Sequence, residues 1–281
     1  MSAVMERTTT DAGWSAAPAP SITDAEFARL RDWLHDATGI HLTAAKKTLV
    51  TSRLARRLRE AGDATFSAYL SRVFDDSAER QVAIDLLTTN ETYFFREAAH
   101  FDFLASRVAQ LPAERTVRVW SAASSSGEEA YSIAMLLDSK LGMRPWEVVG
   151  TDISARMVQA ARAGHYRLQR TSGIPRPMLE RYCLKGTGSQ AGTLLVNRRL
   201  RERVRFEHAN LTSSLPELGE FDVIFLRNVM IYFDNATKRG VVERVLRHLR
   251  PGGHLLVGHS ETLGDVTQAV RALSPSIYVR A

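Results

Sequence analysis

Between Ser121 and Gly127 the chain reads SAASSSG, a run of very small residues followed at once by two acidic ones, Glu128 and Glu129. Apolar and polar residues alternate before it, from Val117 to Trp120, and helical spacing resumes after it, so the run is a loop between a strand and a helix. A loop with almost no side chains lets a ligand approach the backbone, and the helix that follows turns its unsatisfied N–H groups towards that ligand. A second apolar strand, Val148–Thr151, ends in Asp152, whose carboxylate can accept hydrogen bonds from both hydroxyls of a ribose. These residues describe the opening of a Rossmann-like β-α-β unit with a nucleoside site at its loop. From this segment alone an ordinary α/β turn with a strand-end aspartate remains open.

The loop is not a dinucleotide fingerprint, because Ala122, Ala123 and Ser124 to Ser126 stand where glycines would cradle a pyrophosphate. That argues against an NAD-dependent oxidoreductase. Glu128 and Glu129 also repel an anion, whereas they suit a cofactor with positive charge and no phosphate, as S-adenosylmethionine (SAM) is. His100, His165, His208, His254 and His259 lie without Cys or carboxylate partners at metal-ligand spacing, so no metal site is expected. His259 and Ser260 lack a nucleophile-elbow context.

The elements that must position these groups alternate as an α/β protein does. A helix is expected over Ile153–Ala163, a strand over Val204–Glu207 followed by Asn210 and Leu211, and a strand over Phe221–Leu226 running into RNVMIY. A helix from Thr237 to Leu249 precedes a buried strand at His254–Gly258, and the last strand, Ile277–Arg280, reads as antiparallel at the sheet edge. The alternation is interrupted at about 165–202. There Gly173, Pro175 and Pro177, a helical turn near Met178–Tyr182 and two strand-like pieces around GTGSQAG predict an inserted hairpin subdomain. Gly186, Gly188 and Gly192 read as turn glycines, and only an exposed strand edge beside them would make a peptide groove.

In front of this lies an expected all-helical domain over 22–88, preceded by a lead-in over 1–20 read as disordered. Thr23 and Glu26 have capping-box spacing, and Gly39 stops the first helix. Three more helices follow, over Thr43–Ala61, from Asp63 and from Ser77. The second carries Lys46, Arg53 and Arg57 on one stripe, with Arg56 and Arg59 further round. That stripe is either a solvated face or a docking surface for an acidic helix or nucleic acid; no aromatic residues interleave to stack on bases. The connecting segment TNETYFFRE, Thr89–Glu97, places Asn90, Thr92 and Arg96 at even spacing, so an extended chain would aim them at one polar ligand wall.

The chain has 281 residues, 44% of them hydrophobic, and a net charge of +6 that favours an acidic partner. A single cysteine, Cys183, no apolar run long enough for a membrane span and no signal-peptide pattern make the cytoplasm the expected location.

The segments NETYFFRE, VWSAASSSGEEAYSIA, TDIS, FLRNVMIYFD and GHSE stand in the order found in the CheR family, the chemotaxis receptor methyltransferases, which the chain resembles over residues 90–261. The resemblance implies an α/β fold: a Rossmann-like SAM-dependent methyltransferase domain over 89–281 with an inserted small β-subdomain, preceded by a small all-α domain. It implies SAM as cofactor, S-adenosylhomocysteine as product, and transfer of methyl to glutamates on the cytoplasmic helical bundle of chemoreceptors. Carried over by motif, Asn90, Thr92, Arg96, Ala122 and Glu129 would line the cofactor site, joined by Asp152, Asn210, Leu211, Arg227 and Asn228. Arg96 and Tyr232 would face the reacting centre. Lys46, Arg53, Arg56 and Arg57 would meet the receptor, and the loop around Gly186 to Gly192 resembles that of members that bind a receptor C-terminal pentapeptide. No nucleic-acid partner and no membrane insertion are expected.

A glutamate carboxylate is ionised at neutral pH, so attack on a sulfonium methyl needs alignment rather than a strong base. Charge is lost on the way, so a tight Arg96–substrate pair would hold the ground state more than the transition state. Arg96 is therefore expected to grip the cofactor or steer the carboxylate loosely, and Tyr232 to orient it with one hydrogen bond. An N-methyltransferase on RNA or protein is the first rival, weakened because Val229 and Met230 replace the prolines of an Asn/Asp-Pro-Pro-Tyr motif. A non-catalytic SAM-binding sensor is the second.

Overall fold

The computed structural model describes residues 20–281; the expected lead-in lies, except for Pro20, outside the described residues. Helix α1 (Asp24–Thr38) starts in a reciprocal cap, with the Glu26 amide donating to Thr23 Oγ1 at 3.2 Å and the Thr23 amide to Glu26 Oε2 at 2.8 Å. Gly39 ends it in the left-handed conformation, φ 73°. A 3-10 turn, Ala44–Lys46, leads into α2 (Lys47–Glu60), so the second helix begins in two pieces, and α3 (Phe66–Asp75) and α4 (Ser77–Leu87) follow. Their apolar stripes close on one core that includes Leu30, Leu34, Leu54, Leu58, Tyr69 and Leu70. At i, i+3 and i+4 spacing these residues share one face of each helix, which is why four short helices can bury it together.

The catalytic part begins with α5 (Ala98–Val108) and β1 (Val117–Ala122), then α6 (Glu128–Leu141), β2 (Trp146–Asp152) and α7 (Ala155–Ala163). An insertion follows: β3 (His165–Arg167), α8 (Arg176–Tyr182), β4 (Cys183–Lys185), β5 (Thr193–Val196) and the single turn α9 (Arg198–Arg201). The main alternation resumes with β6 (Val204–His208), β7 (Phe221–Leu226), α10 (Asn235–Arg247), β8 (Leu249–Val257), β9 (Val270–Ser274) and β10 (Ile277–Arg280).

The seven-stranded sheet has the order β6-β2-β1-β7-β8-β10-β9. The first five are parallel, and β10 inserts antiparallel between β8 and β9. Burial of β7 at every position follows from helices on both sheet faces, with α6 on one and α10 on the other. The order reverses between β1 and β7, so their connections leave in opposite directions and open a crevice at their carboxyl ends.

Three local expectations need correction. The last strand is antiparallel, but β9 and not β10 forms the edge; residues of β9 are mostly exposed, which removes the apolar pattern that marks a strand. The insertion contains the expected hairpin, β4–β5, but a third strand joins it to give the sheet β3-β5-β4; the three-residue β3 is too short to show a period. Residues 89–97 do not stay extended: Phe95 (φ 56°) and Glu97 (φ 61°) are left-handed, Phe94 is buried and Tyr93 is 50% exposed.

Candidate active site

The crevice is a cleft of about 420 Å³ at the carboxyl ends of the strands, between the helical layer and the sheet. That lies within the roughly 300–1,000 Å³ typical of small-molecule sites. Its inner wall is the loop after β1, where Ala123 (φ 64°) and Ser125 (φ 49°) are both left-handed, exposing backbone to the cleft without glycine. Gly127 (φ 94°) opens α6, and a Cβ there would sit 2.9 Å from Ala161 Cβ, so glycine is needed once, for helix packing.

Asp152 accepts from the Ser125 amide at 2.8 Å and the Ser154 amide at 2.9 Å. Burial pushes its carboxyl above the usual range, while those two amides pull it back. One lone pair on each oxygen remains for a diol.

The two glutamates that open α6 part company. Glu128 turns away from the cleft, is fully buried, and holds Arg170 at 2.7 Å and the Ser126 hydroxyl at 2.7 Å. Glu129 lines the cleft, accepting from Ser121 Oγ at 2.7 Å and from Arg227 Nη1 at 2.9 Å. Burial raises its carboxyl, with Arg227 opposing. Arg227, 4% exposed, also meets Glu97 Oε2 at 3.0 Å and donates to the Arg96 carbonyl at 2.6 Å. At the strand ends the carboxylates of Glu129 and Asp152 face the cleft, and the one guanidinium between them, Arg227, is already engaged by Glu97 and Glu129; Arg96, Arg53 and Lys46 add positive charge further out.

Asn228, left-handed at φ 56°, presents its side chain to the cleft and bonds Glu97 Oε1 at 3.4 Å. Tyr232 lies in a 3-10 turn, Met230–Tyr232, beyond the end of β7 and not within the strand. Its hydroxyl has no hydrogen-bond partner among the described residues, and its carbonyl accepts from the His41 amide of the helical layer at 2.8 Å. Arg96 is held in its own turn: it donates to the Glu91 carbonyl at 3.1 Å and its guanidinium lies 5.7 Å from the Tyr93 ring centroid. Asn90, Thr92, Asn210 and Leu211 also reach the cleft, and Asn210 bonds the Ala37 carbonyl of α1 at 2.8 Å.

Ala122 does not reach it. The residue is fully buried in β1, and Ala123 takes its place at the surface. Of the docking residues, Lys46 and Arg53 line the outer cleft, Arg53 with its guanidinium on the Leu87 and Thr88 carbonyls. Arg57 instead forms a two-point pair with buried Glu79, which also accepts from the Tyr69 hydroxyl at 2.9 Å. Arg56 is exposed and, among the described residues, pairs only with Glu60.

Reading the sequence by spacing missed Glu97 and Glu261, although both lie inside family-like motifs. It also missed that folding brings Glu97, His100 and His259 together, with ligand atoms within 4.8 Å of one another. The Arg227 guanidinium on Glu97 already supplies the positive charge there.

A mostly parallel sheet reversing its strand order beside a cleft, a glycine-poor first loop, a strand-end aspartate and the Glu129 carboxylate beside it define a Rossmann-like site of the SAM-dependent methyltransferase class. The description "CheR methyltransferase, SAM binding domain" matches residues 90–279, and "CheR methyltransferase, all-alpha domain" matches residues 25–88. The chain belongs to the CheR methyltransferase family. It is 41% identical over 260 residues to chemotaxis protein methyltransferase 2 of Pseudomonas aeruginosa, covering 91% of this chain and 93% of that one. It is 40% identical to the chemotaxis protein methyltransferase of Salmonella typhimurium (92% of this chain, 91% of that one) and 39% identical to that of Escherichia coli, at the same coverage. SAM is its cofactor. No helix among the described residues is long and apolar enough to cross a membrane.

Proposed function

We propose that this protein transfers methyl from SAM to glutamate side chains of chemotaxis receptors, forming γ-carboxyl methyl esters and S-adenosylhomocysteine, and that it does so in the cytoplasm. What supports this reading above all is the free Tyr232 hydroxyl, held in a cleft whose inner wall suits a sulfonium, in a chain matched along most of its length by chemotaxis protein methyltransferases.

SAM supplies an electrophilic methyl group on sulfur. Asp152 binds the ribose hydroxyls, and the Glu129–Arg227–Glu97 chain keeps the neighbouring wall anionic and rigid. Tyr232 donates its hydroxyl proton in a hydrogen bond to one oxygen of the incoming carboxylate, leaving the other oxygen to attack. Arg96, already bound to the Glu91 carbonyl, has donors left to steer the carboxylate without locking it. The helical layer roofs the cleft and excludes water.

Lys46, Arg53 and Arg56 form the receptor-facing surface, and Arg57 serves the helical core. The unpaired edge of β4, with Leu184 58% exposed beside the Gly186–Gly192 turn, suits strand addition by a receptor C-terminal pentapeptide.

The test is transfer of labelled methyl from SAM to receptor cytoplasmic fragments, then mild alkali. Release of volatile methanol is the expected outcome. Alkali-stable label would sink the ester assignment and favour nitrogen methylation.

A further inference from the structure

The GHSE segment, Gly258–Glu261, belongs to none of the roles above, and Glu261 does not line the SAM cleft. Its side chain is nevertheless buried, 8% exposed, and its carboxylate gathers backbone amides from two loops. Oε2 accepts from the Asn228 amide at 2.8 Å and the Gly258 amide at 2.7 Å; Oε1 accepts from the Ile231 amide at 3.3 Å.

These amides need an external acceptor. After Leu226 the chain leaves the sheet, so neither neighbouring strand can pair with it, and the 3-10 turn that follows leaves its first N–H groups unmatched. Asn228 is also left-handed, a state that a non-glycine residue keeps only when its surroundings hold it. The space is tight: a Cβ on Gly258 would lie 2.5 Å from Asn228 Nδ2 and 2.8 Å from Glu261 Oε2. The carboxylate therefore pins the segment at Asn228 and Ile231, the residues that aim the Asn228 side chain and the Tyr232 ring into the cleft.

We propose that Glu261 is a positioning residue of the methyl transfer, acting through Asn228 and Tyr232 and touching neither cofactor nor substrate. The proposal rests on the methyltransferase reading and not on the identity of the methylated side chain.

Its test is a double-mutant cycle in the full chain, with kcat and KM measured on receptor fragments, S-adenosylhomocysteine binding by calorimetry, and thermal melting. Glu261→Ala is expected to lower kcat about a hundredfold, as an ångström of misplacement does. Tyr232→Phe, costly alone, is expected to lower kcat less than about threefold further in that background. Glu261→Gln, which keeps one acceptor oxygen, should recover part of the loss. Losses that multiply, or a Glu261→Ala enzyme with parental kcat, overturn the proposal. So does the disappearance of the melting transition in both variants, which would make Glu261 a residue of stability alone. If Tyr232→Phe by itself turns over normally, the Tyr232 role fails separately, and Asn228→Ala replaces it in the cycle with the same expected non-additivity.

Discussion

Asp152 stays accessible to a ribose while losing most of its water because two backbone amides, from Ser125 and Ser154, share its charge. An amide in its place has one acceptor oxygen and turns an NH2 against one of those N–H groups. Asp152→Asn is therefore expected to weaken SAM binding by roughly tenfold to a hundredfold, on the order of 1.4–3 kcal/mol. Calorimetric titration reads this directly, and an affinity within twofold of the parent would remove Asp152 from the site. Arg227 makes a different case. Its planar fork reaches Glu97, Glu129 and the Arg96 carbonyl at once, which a lysine ammonium on a flexible stem cannot do. Arg227→Lys leaves a buried carboxylate short of its partner, with an expected loss of about 3 kcal/mol in urea unfolding.

The element that carries most of the basic stripe is α2, and its arginines divide by what they touch. Arg57 serves Glu79, only 5% exposed, so Arg57→Ala strands a buried carboxylate and should cost roughly 2–4 kcal/mol of stability. Arg56 points to solvent, where its pair with Glu60 contributes little. Arg56→Ala is expected to melt with the parent protein while raising KM for receptor fragments several-fold, more so at low salt, since rim charges act through steering. Unchanged KM across ionic strengths would take Arg56 out of the docking surface. The charge pattern of α2 was legible in the sequence. The division of labour was not, because Glu79 belongs to another helix, and only packing of α2 on α4 brings its carboxylate under Arg57.

For the molecule as a whole, the helical layer and the sheet are joined where the chemistry sits. His41 donates to the Tyr232 carbonyl, Asn210 reaches Ala37, and a Cβ on Gly39 would press within 2.7 Å of both Thr212 and Thr237. His35 meets Asp234 at 3.0 Å, and hydrogen bonds from Thr237 and His35 hold that carboxyl down at about 2. Stability also carries a pH signature. Burial pushes the imidazoles of His100 and His254 down to about 4, so between about pH 6.5 and 4 the unfolded chain binds protons that the folded one refuses. Folding stability is then fullest above pH 6.5 and falls as pH drops towards 4, by an expected few kcal/mol for the two together. Raised carboxyls such as Glu128 and Asp152 contribute with opposite sign, so the check is a difference. Urea midpoints of His254→Leu and parent, compared at pH 7 and pH 5, should show a shallower fall in the variant. Parallel slopes would mean that His254 already titrates normally when folded.

Local pattern was enough for whatever depends on neighbours in sequence. The capping box at Thr23, the stop at Gly39, the strand–loop–helix around Ser121–Gly127 and the acidic end of β2 all follow from periodicity and turn chemistry, and so did the SAM reading, from the absent glycines and the pair Glu128 and Glu129, of which only Glu129 lines the cleft. Tertiary structure alone decided what depends on groups distant in sequence. Phe95 and Glu97 adopt left-handed angles because Phe94 must enter the core against Tyr166 while Arg96 turns to the cleft, and no propensity encodes that conflict. Glu128 and Glu129 look alike in sequence, yet successive helical positions point about 100° apart, so one holds Arg170 of the insertion and the other lines the cleft. Glu97 and Glu261 are ordinary acidic residues until folding sets them against Arg227 and the Asn228 amide, where desolvation turns a surface charge into a fixed support.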